Sequence, residues 1–244
     1  MSRRSISAML TTTILLVAGP ALASTNVIHV GGVCSTTFGT VIDFGGVNEV
    51  TPWVDQRSSM ATATNQLRDA LDTYCQGAES CYIYAYSNGG AVLSRTLSLY
   101  GTGQWNIVAA YTGASNEGGS ELSDEFGFMA DWFGSCSLQA NVGVSDHRAG
   151  WNHHDTDGTL FYMGGGNTGD PETSWMLPGR DDGVVAMHSS GGYSSVVDQN
   201  NVCGPGKWDF HLPFDWRGNR QCSFSDGHDR MKMRVLECIA YGNC

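Results

Sequence analysis

The alternating run Tyr82-Ile-Tyr-Ala-Tyr86 stops at Ser87, and Asn88, Gly89 and Gly90 follow before an apolar, helix-like stretch from Ala91 to Tyr100. Period-two alternation reads as a strand and the stretch after the glycines as a helix. A serine held between them sits on a turn so sharp that its neighbours two positions away must be small, and here those are Ala85 and Gly89. Strand, tight turn and helix in that order present a serine hydroxyl at the end of a sheet as a nucleophile. The same five residues also suit an ordinary buried serine at a strand end, so the rest of the chain has to supply its partners.

The flanking elements come from the same kind of reading. Residues 26–30 form a short apolar strand that breaks into Gly31-Gly32-Val33, and residues 53–55 suggest another strand end. Leu67, Ala70, Leu71 and Tyr74 recur at helical spacing, which predicts an amphipathic helix over 61–74. Residues 82–86 are the serine strand and 88–100 the helix after it. Further strands are predicted over 105–111, over 160–163 with Gly164-Gly165-Gly166 ending it, and over 208–214, and a last helix over 229–241. Strands alternating with helices predict an α/β fold, a mostly parallel sheet with helices on both faces. Residues 117–158 are polar, glycine-rich and weakly periodic, and read as an insertion over one end of that sheet.

The termini and composition set the compartment. Arg3 and Arg4, a short apolar stretch and Ala21-Leu22-Ala23 make a secretory signal peptide over 1–23 that leaves one domain over 24–244. No stretch is long enough for a stable membrane anchor. Losing the two arginines takes the net charge from −11 to −13, which argues against nucleic acid and anionic membranes as partners. All eight cysteines fall after the leader, and an even count in an exported chain reads as up to four disulfides. Cys75 with Cys81, and Cys238 with Cys244, are close enough in sequence to pair.

A serine hydroxyl needs a base, an acid to orient that base, and donors for an oxyanion. In sheets of this type the acid follows a later strand and the base lies nearer the C-terminus. Asp182, in Arg180-Asp-Asp182-Gly-Val-Val, follows the 160–163 strand and is the best acid, with Asp181 second. An Asx turn is the plainer use of Asp182. Of the seven histidines, His228, in Ser225-Asp-Gly-His228, is the one in a loop after the final strand. His29 lies on the first strand, His188 is too near Asp182, His211 alternates within its strand, and His147, His153 and His154 belong to the insertion. Asn88 N–H, at the start of a helix, and Val33 N–H, in the loop after the first strand, are the expected oxyanion donors, with Gly32 next. Asp146, His147, His153, His154, Asp155 and Asp157 crowd ligand-type side chains together, but their spacing matches no metal motif, so no metal and no cofactor is expected.

Taken together these segments resemble the α/β-hydrolases, and among them the secreted bacterial lipases and esterases. The His29-Val-Gly-Gly-Val33 loop is similar to a permuted lipase oxyanion loop, and Ala85-Tyr-Ser-Asn-Gly-Gly90 to the lipase nucleophile turn. Gly113-Ala-Ser-Asn-Glu-Gly-Gly-Ser-Glu-Leu-Ser-Asp124 resembles the segment after the next strand, and Asp181-Asp-Gly-Val-Val-Ala186 the segment bearing the catalytic acid. The chain departs from the pattern in having Ala85 for glycine, no Pro-His pair before its Gly119-Ser120 and no evident long apolar lid. The resemblance implies a monomeric serine carboxyl-ester hydrolase, with Ser87, Asp182 and His228 as triad, acting on a lipid, a small ester or a polyester. An amide or peptide hydrolase with the same triad, or a non-catalytic binding module on a hydrolase fold, are the competing readings. The disulfide reading has its own check. Thiol titration of the mature protein in denaturant is expected to find no free thiol, and two or more per chain would overturn four bridges.

Overall fold

The computed structural model describes residues 24–101, 103–126, 136–151, 158–170, 173–191 and 220–241. Its centre is a six-stranded sheet. The strands are β1 (Thr25–Val30), β2 (Asn48–Val50), β3 (Ser80–Tyr86), β4 (Ile107–Gly113), β5 (Phe161–Gly166) and β6 (Arg220–Phe224). Their spatial order is β2-β1-β3-β4-β5-β6, and every pair is parallel. From β1 the chain goes outward to β2, then crosses back to β3 on the other side of β1. The carboxyl ends of β1 and β3 therefore flank the point where the winding reverses, which is where open α/β sheets bind ligands.

The helices are α1 (Met60–Tyr74), α2 (Asn88–Tyr100), α3 (Glu121–Phe126), α4 (Val144–Gly150) and α5 (His228–Tyr241). Ser59 caps α1, with its Oγ accepting from the Thr62 N–H at 3.1 Å. The buried stripe of α1 is Met60, Ala63, Thr64, Leu67, Ala70 and Leu71, the helical spacing read from the sequence. Alternation along β3 sends Ile83 and Ala85 into one core with Leu67 and Leu71 of α1 and Leu93 and Leu97 of α2. Tyr84 faces the other core with Phe224, Met231, Val235 and Leu236, four residues that come from β6 and α5. Helices thus cover both faces of the sheet, as predicted.

Residues 117–158 contribute more than a polar cover. Leu138, Val142 and Trp151 are buried in the core beside α1 and α2, and Ser120 pairs with Gly143 in an isolated parallel bridge. A disulfide joins Cys34 to Cys136, a separation of 102 residues, and a second joins Cys75 to Cys81. Closing a loop of about 100 residues restricts the unfolded chain by about 4.7 kcal/mol in the chain-entropy account. Cys222 and Cys238 are disulfide-bonded too, while Cys203 and Cys244 lie outside the described residues. No helix among the described residues is long and apolar enough to cross a membrane.

Two sequence expectations change. The predicted strand end at residues 53–55 is a loop, and the strand lies just upstream as β2, since Pro52 has no N–H to continue a ladder. The strand predicted over 208–214 lies outside the described residues, and β6 was not foreseen. Gly164, Gly165 and Gly166 do not end β5 but complete it. They are needed because β5 is pressed from both faces. A Cβ on Gly164 would stand 2.7 Å from a Val235 methyl and 2.9 Å from the Phe224 ring. Gly164→Ala should therefore push α5 off the sheet and destabilise the fold by about 1–3 kcal/mol, read from chemical or thermal unfolding.

Candidate active site

Ser87 closes β3 and opens α2 with φ 52° and ψ −128°, a left-handed backbone that a serine adopts only under constraint. Such conformations cost on the order of 1–3 kcal/mol and persist where the surroundings enforce them. The enforcement is visible around the turn. The Ser87 N–H donates to the Gly113 carbonyl at 3.0 Å, and the Ser87 carbonyl accepts from Gly90 at 3.0 Å. Gly89 lies so close to the end of β1 that a Cβ there would stand 2.4 Å from the Gly31 oxygen and 2.7 Å from the Val30 oxygen. This contact explains why position 89 must be glycine. Position 85 points into the core beside α2, where the alanine methyl fits with no exposure.

Two loops bring partners to this serine. His228 is the first residue of α5, and its Nε2 lies 3.0 Å from Ser87 Oγ. Its Nδ1 lies 2.8 Å from Asp182 Oδ2. The Asp182 carboxylate performs two tasks with separate oxygens. Oδ1 accepts from the Val184 and Val185 N–H groups at 2.9 and 2.8 Å, which is the Asx-type turn, and Oδ2 is left for the imidazole. The two loops are also joined through backbone, as the His228 N–H donates to the Asp182 carbonyl at 3.0 Å. They close over the end of β5 because Gly166 has no side chain; a Cβ there would stand 2.6 Å from Asp182 Cβ. Ser87, Asp182 and His228 are all nearly buried, at 4, 4 and 5 % exposure, so this relay is shielded from bulk solvent. Tyr86 leans on the imidazole, with ring centroids 5.3 Å apart and its hydroxyl donating to the His228 carbonyl at 3.3 Å. Burial raises the Tyr86 phenol far above its ordinary value, so it stays neutral.

The other sequence candidates separate cleanly. Asp181 serves its own loop, with Oδ1 accepting from Ser174 Oγ at 2.6 Å and Gly183 N–H at 2.8 Å, and burial raises its carboxyl. His29 is buried on β1 with Nε2 2.5 Å from Glu49 Oε2, and burial lowers its pKa despite that partner. His188 sits 3.1 Å from Glu121 Oε1. His147 is buried, with Nδ1 2.7 Å from the Asn116 carbonyl and its ring against Trp151, a packing role. His211, His153, His154, Asp155 and Asp157 lie outside the described residues. Among the described residues no cluster of three or more metal-type ligands occurs.

The expected oxyanion segments adjoin the serine. Asn88 begins α2, and the loop Gly31–Val33 runs past Ser87 so closely that a Cβ on Gly32 would stand 3.4 Å from Ser87 Oγ. Helix starts leave N–H groups without intrahelical acceptors and favour negative charge. One residue beside these segments gave no sequence signal. Gln56 is fully buried, and its carboxamide spans from the Gly31 carbonyl to the Asn88 side chain. No motif marks a lone glutamine between a strand and a helix, so only through-space contact reveals it.

No protein-family model and no curated protein matches this sequence. Solved structures do match. The lipase BlEst2 of Bacillus licheniformis in its mature form superposes with a TM-score of 0.61 at 13 % identity, covering 92 % of each chain. The metagenomic carboxyl esterase MGS0156 gives 0.59 at 12 % identity over 85 % of this chain and 65 % of its own. The lipase of Staphylococcus hyicus gives 0.52 at 11 % identity over 86 % of this chain and 88 % of its own. The chain has the α/β-hydrolase fold. Its structural neighbours include bacterial lipases and a carboxyl esterase.

The Glu121–His188 pair lends itself to a titration test. Burial alone would raise the Glu121 carboxyl, but hydrogen bonds with His188 and Ser189 outweigh it and bring the pKa below the ordinary 4.5. A carboxyl depressed in the folded state adds stability that is fully present above its unfolded value and is lost as pH falls through the folded one. The stability difference between wild type and Glu121→Gln is therefore expected to be largest above about pH 5 and to shrink steadily below it. Urea unfolding from pH 7 to pH 3 measures this, and a difference that does not change with pH would refute it.

Proposed function

We propose that this protein is an exported carboxyl-ester hydrolase in which Ser87, His228 and Asp182 act as a triad. The observation that supports this most is the continuous relay from Ser87 Oγ through both imidazole nitrogens to Asp182 Oδ2, at 3.0 and 2.8 Å, beneath a strained serine at the sheet's switch point. In this reading His228 Nε2 removes the Ser87 proton as Oγ attacks the ester carbonyl, and Asp182 holds the ring and stabilises the imidazolium. The Val33 and Asn88 N–H groups stabilise the negative oxygen of the tetrahedral intermediate. His228 returns its proton to the departing alkoxide, leaving an acyl-serine. A water molecule, deprotonated by the same nitrogen, then releases the acid and restores Ser87 Oγ–H.

Esters are favoured over amides because the structural neighbours are named as lipases and a carboxyl esterase. Small esters and polyesters are the substrate classes this reading takes up first. The bonded cysteines among the described residues suit an oxidising compartment, in line with the leader at 1–23. Hydrolysis of nitrophenyl esters of increasing acyl length, and of a polyester film, tests the substrate class. Ser87→Ala should fold normally, lose fluorophosphonate labelling and lose about 10⁴-fold or more in rate. An alanine variant that keeps a tenth of wild-type activity would exclude Ser87 as nucleophile.

A further inference from the structure

We propose that Gln56 is the positioning residue of the oxyanion site: its buried carboxamide ties the Gly31–Val33 loop to Asn88 and holds the two N–H donors in one register. The inference rests on the ester-hydrolase reading of Ser87 and goes beyond it by naming a residue that touches neither substrate nor triad.

Gln56 lies in the segment between β2 and α1 and is fully buried. Its backbone is fastened to the loop after β1. The Gln56 N–H donates to the Ser35 carbonyl at 2.9 Å, the Cys34 N–H donates to the Gln56 carbonyl at 3.0 Å, and the Val54 N–H donates to Thr36 at 2.8 Å. The Cys34–Cys136 disulfide ties the same loop to the segment at 136–138, where the Leu138 N–H donates to the Arg57 carbonyl at 3.2 Å. The side chain thus leaves a rigid base. Its Nε2 donates to the Gly31 carbonyl, and its Oε1 accepts from Asn88 Nδ2 at 2.9 Å.

Chemistry settles which way both amides face. A backbone carbonyl can only accept, so the Gln56 atom at Gly31 must be the NH₂ group. The oxygen then faces Asn88, so the Asn88 atom opposite must be its own NH₂ group. The chain from Gly31 C=O through Gln56 to Asn88 has a single consistent polarity. In a trans peptide the C=O and the next N–H point in opposite directions, so holding the Gly31 carbonyl also aims the Gly32 N–H and the start of the Gly32–Val33 turn. At the other end, Asn88 is the residue whose N–H follows the nucleophile. Gly89 presses on the same Gly31 oxygen from the helix side, so that carbonyl is held between Gln56 and α2.

Oxyanion donors act on charge that develops in the transition state, and they act well only over a narrow distance range. A residue that sets their spacing should therefore show up in kcat more than in KM. Misplacement by about 1 Å is enough to cost about 10²-fold. Gln56→Met keeps length and volume but removes both hydrogen bonds. Its kcat, expressed per serine titrated with a fluorophosphonate, should fall about 10- to 100-fold while KM changes by less than about threefold. Affinity for a trifluoromethyl ketone transition-state analogue should fall in parallel with kcat/KM.

Gln56→Glu gives the sharper readout and preserves the shape. Protonated, the carboxyl can donate to Gly31 and accept from Asn88 as glutamine does. Ionised, it has no donor and opposes the Gly31 oxygen. Burial favours the neutral acid. The per-site activity of Gln56→Glu relative to wild type should therefore be highest at low pH and fall at least tenfold as pH rises, adding a titration that wild type lacks. A residue that only fills space would alter melting temperature but leave per-site kcat and this pH ratio unchanged, and that result would overturn the proposal. If Gln56→Met does not fold, Gln56→Glu decides alone. Failure of the underlying reading looks different: wild type itself would neither label at Ser87 nor hydrolyse esters, and both proposals would fall together.

Discussion

The start of α2 approaches the end of β1 to within a distance that only a glycine allows. With Gly89 against the Gly31 and Val30 carbonyl oxygens, the helix after the serine and the loop after the first strand become one packed unit. That contact holds Ser87 in its left-handed backbone and brings Gln56 within reach of both the Gly31 carbonyl and the Asn88 side chain. A larger residue at 89 would separate the helix from the loop, and the serine could relax toward ordinary φ. The strain at Ser87 is stored in a junction of two parallel strands, where the ladder to Gly113 on the neighbouring strand prevents relief.

The second half of the site is built on the same economy of side chains at strand ends. Gly166, the last residue of β5, leaves nothing to obstruct the loops that carry Asp182 and His228, so the two meet over it through both backbone and side chain. Asp182 uses one oxygen to shape its own loop and the other to face the imidazole, so the turn and the relay are a single structure. His228 is fixed from three directions, by Asp182, by its position at the start of α5, and by the Tyr86 ring. Under the proposed function, rigid contacts of this kind would keep donors and base in place before charge develops.

Much of the fold was legible. Helices α1 and α2 and strands β1 and β3 stand within a residue or two of their predicted bounds, because each has a clear period and a clean terminator, such as Ser59 or the glycines after Ser87. What escaped notice was polar or short. Strand β2 is three residues, too few to show alternation. Strand β6 reads Arg-Gln-Cys-Ser-Phe, which looks like a loop until the sheet supplies its partners: Gln221 is buried because its amide donates to the Met187 carbonyl at 2.6 Å. The triple glycine of β5 reads as a breaker because sequence does not show that Phe224 and Val235 occupy the space a side chain would need.

The order of Ser87, Asp182 and His228 along the chain, the sharp turn at the serine and the glycines around it are sequence properties, since each follows from local backbone sterics and period. The contacts between them are not. Residues 141 and 46 positions apart met only through the winding of a parallel sheet, and His188, set aside in the sequence for its nearness to Asp182, found Glu121 instead. Gln56 is the clearest case. A single buried amide has no period, motif or neighbouring signal, and its place between Gly31 and Asn88 exists only once β1, β3 and the segment before α1 are packed together. Local pattern specifies elements because side-chain direction repeats along the backbone. Site geometry depends on distances across the fold, and those are set by which surfaces close on one another.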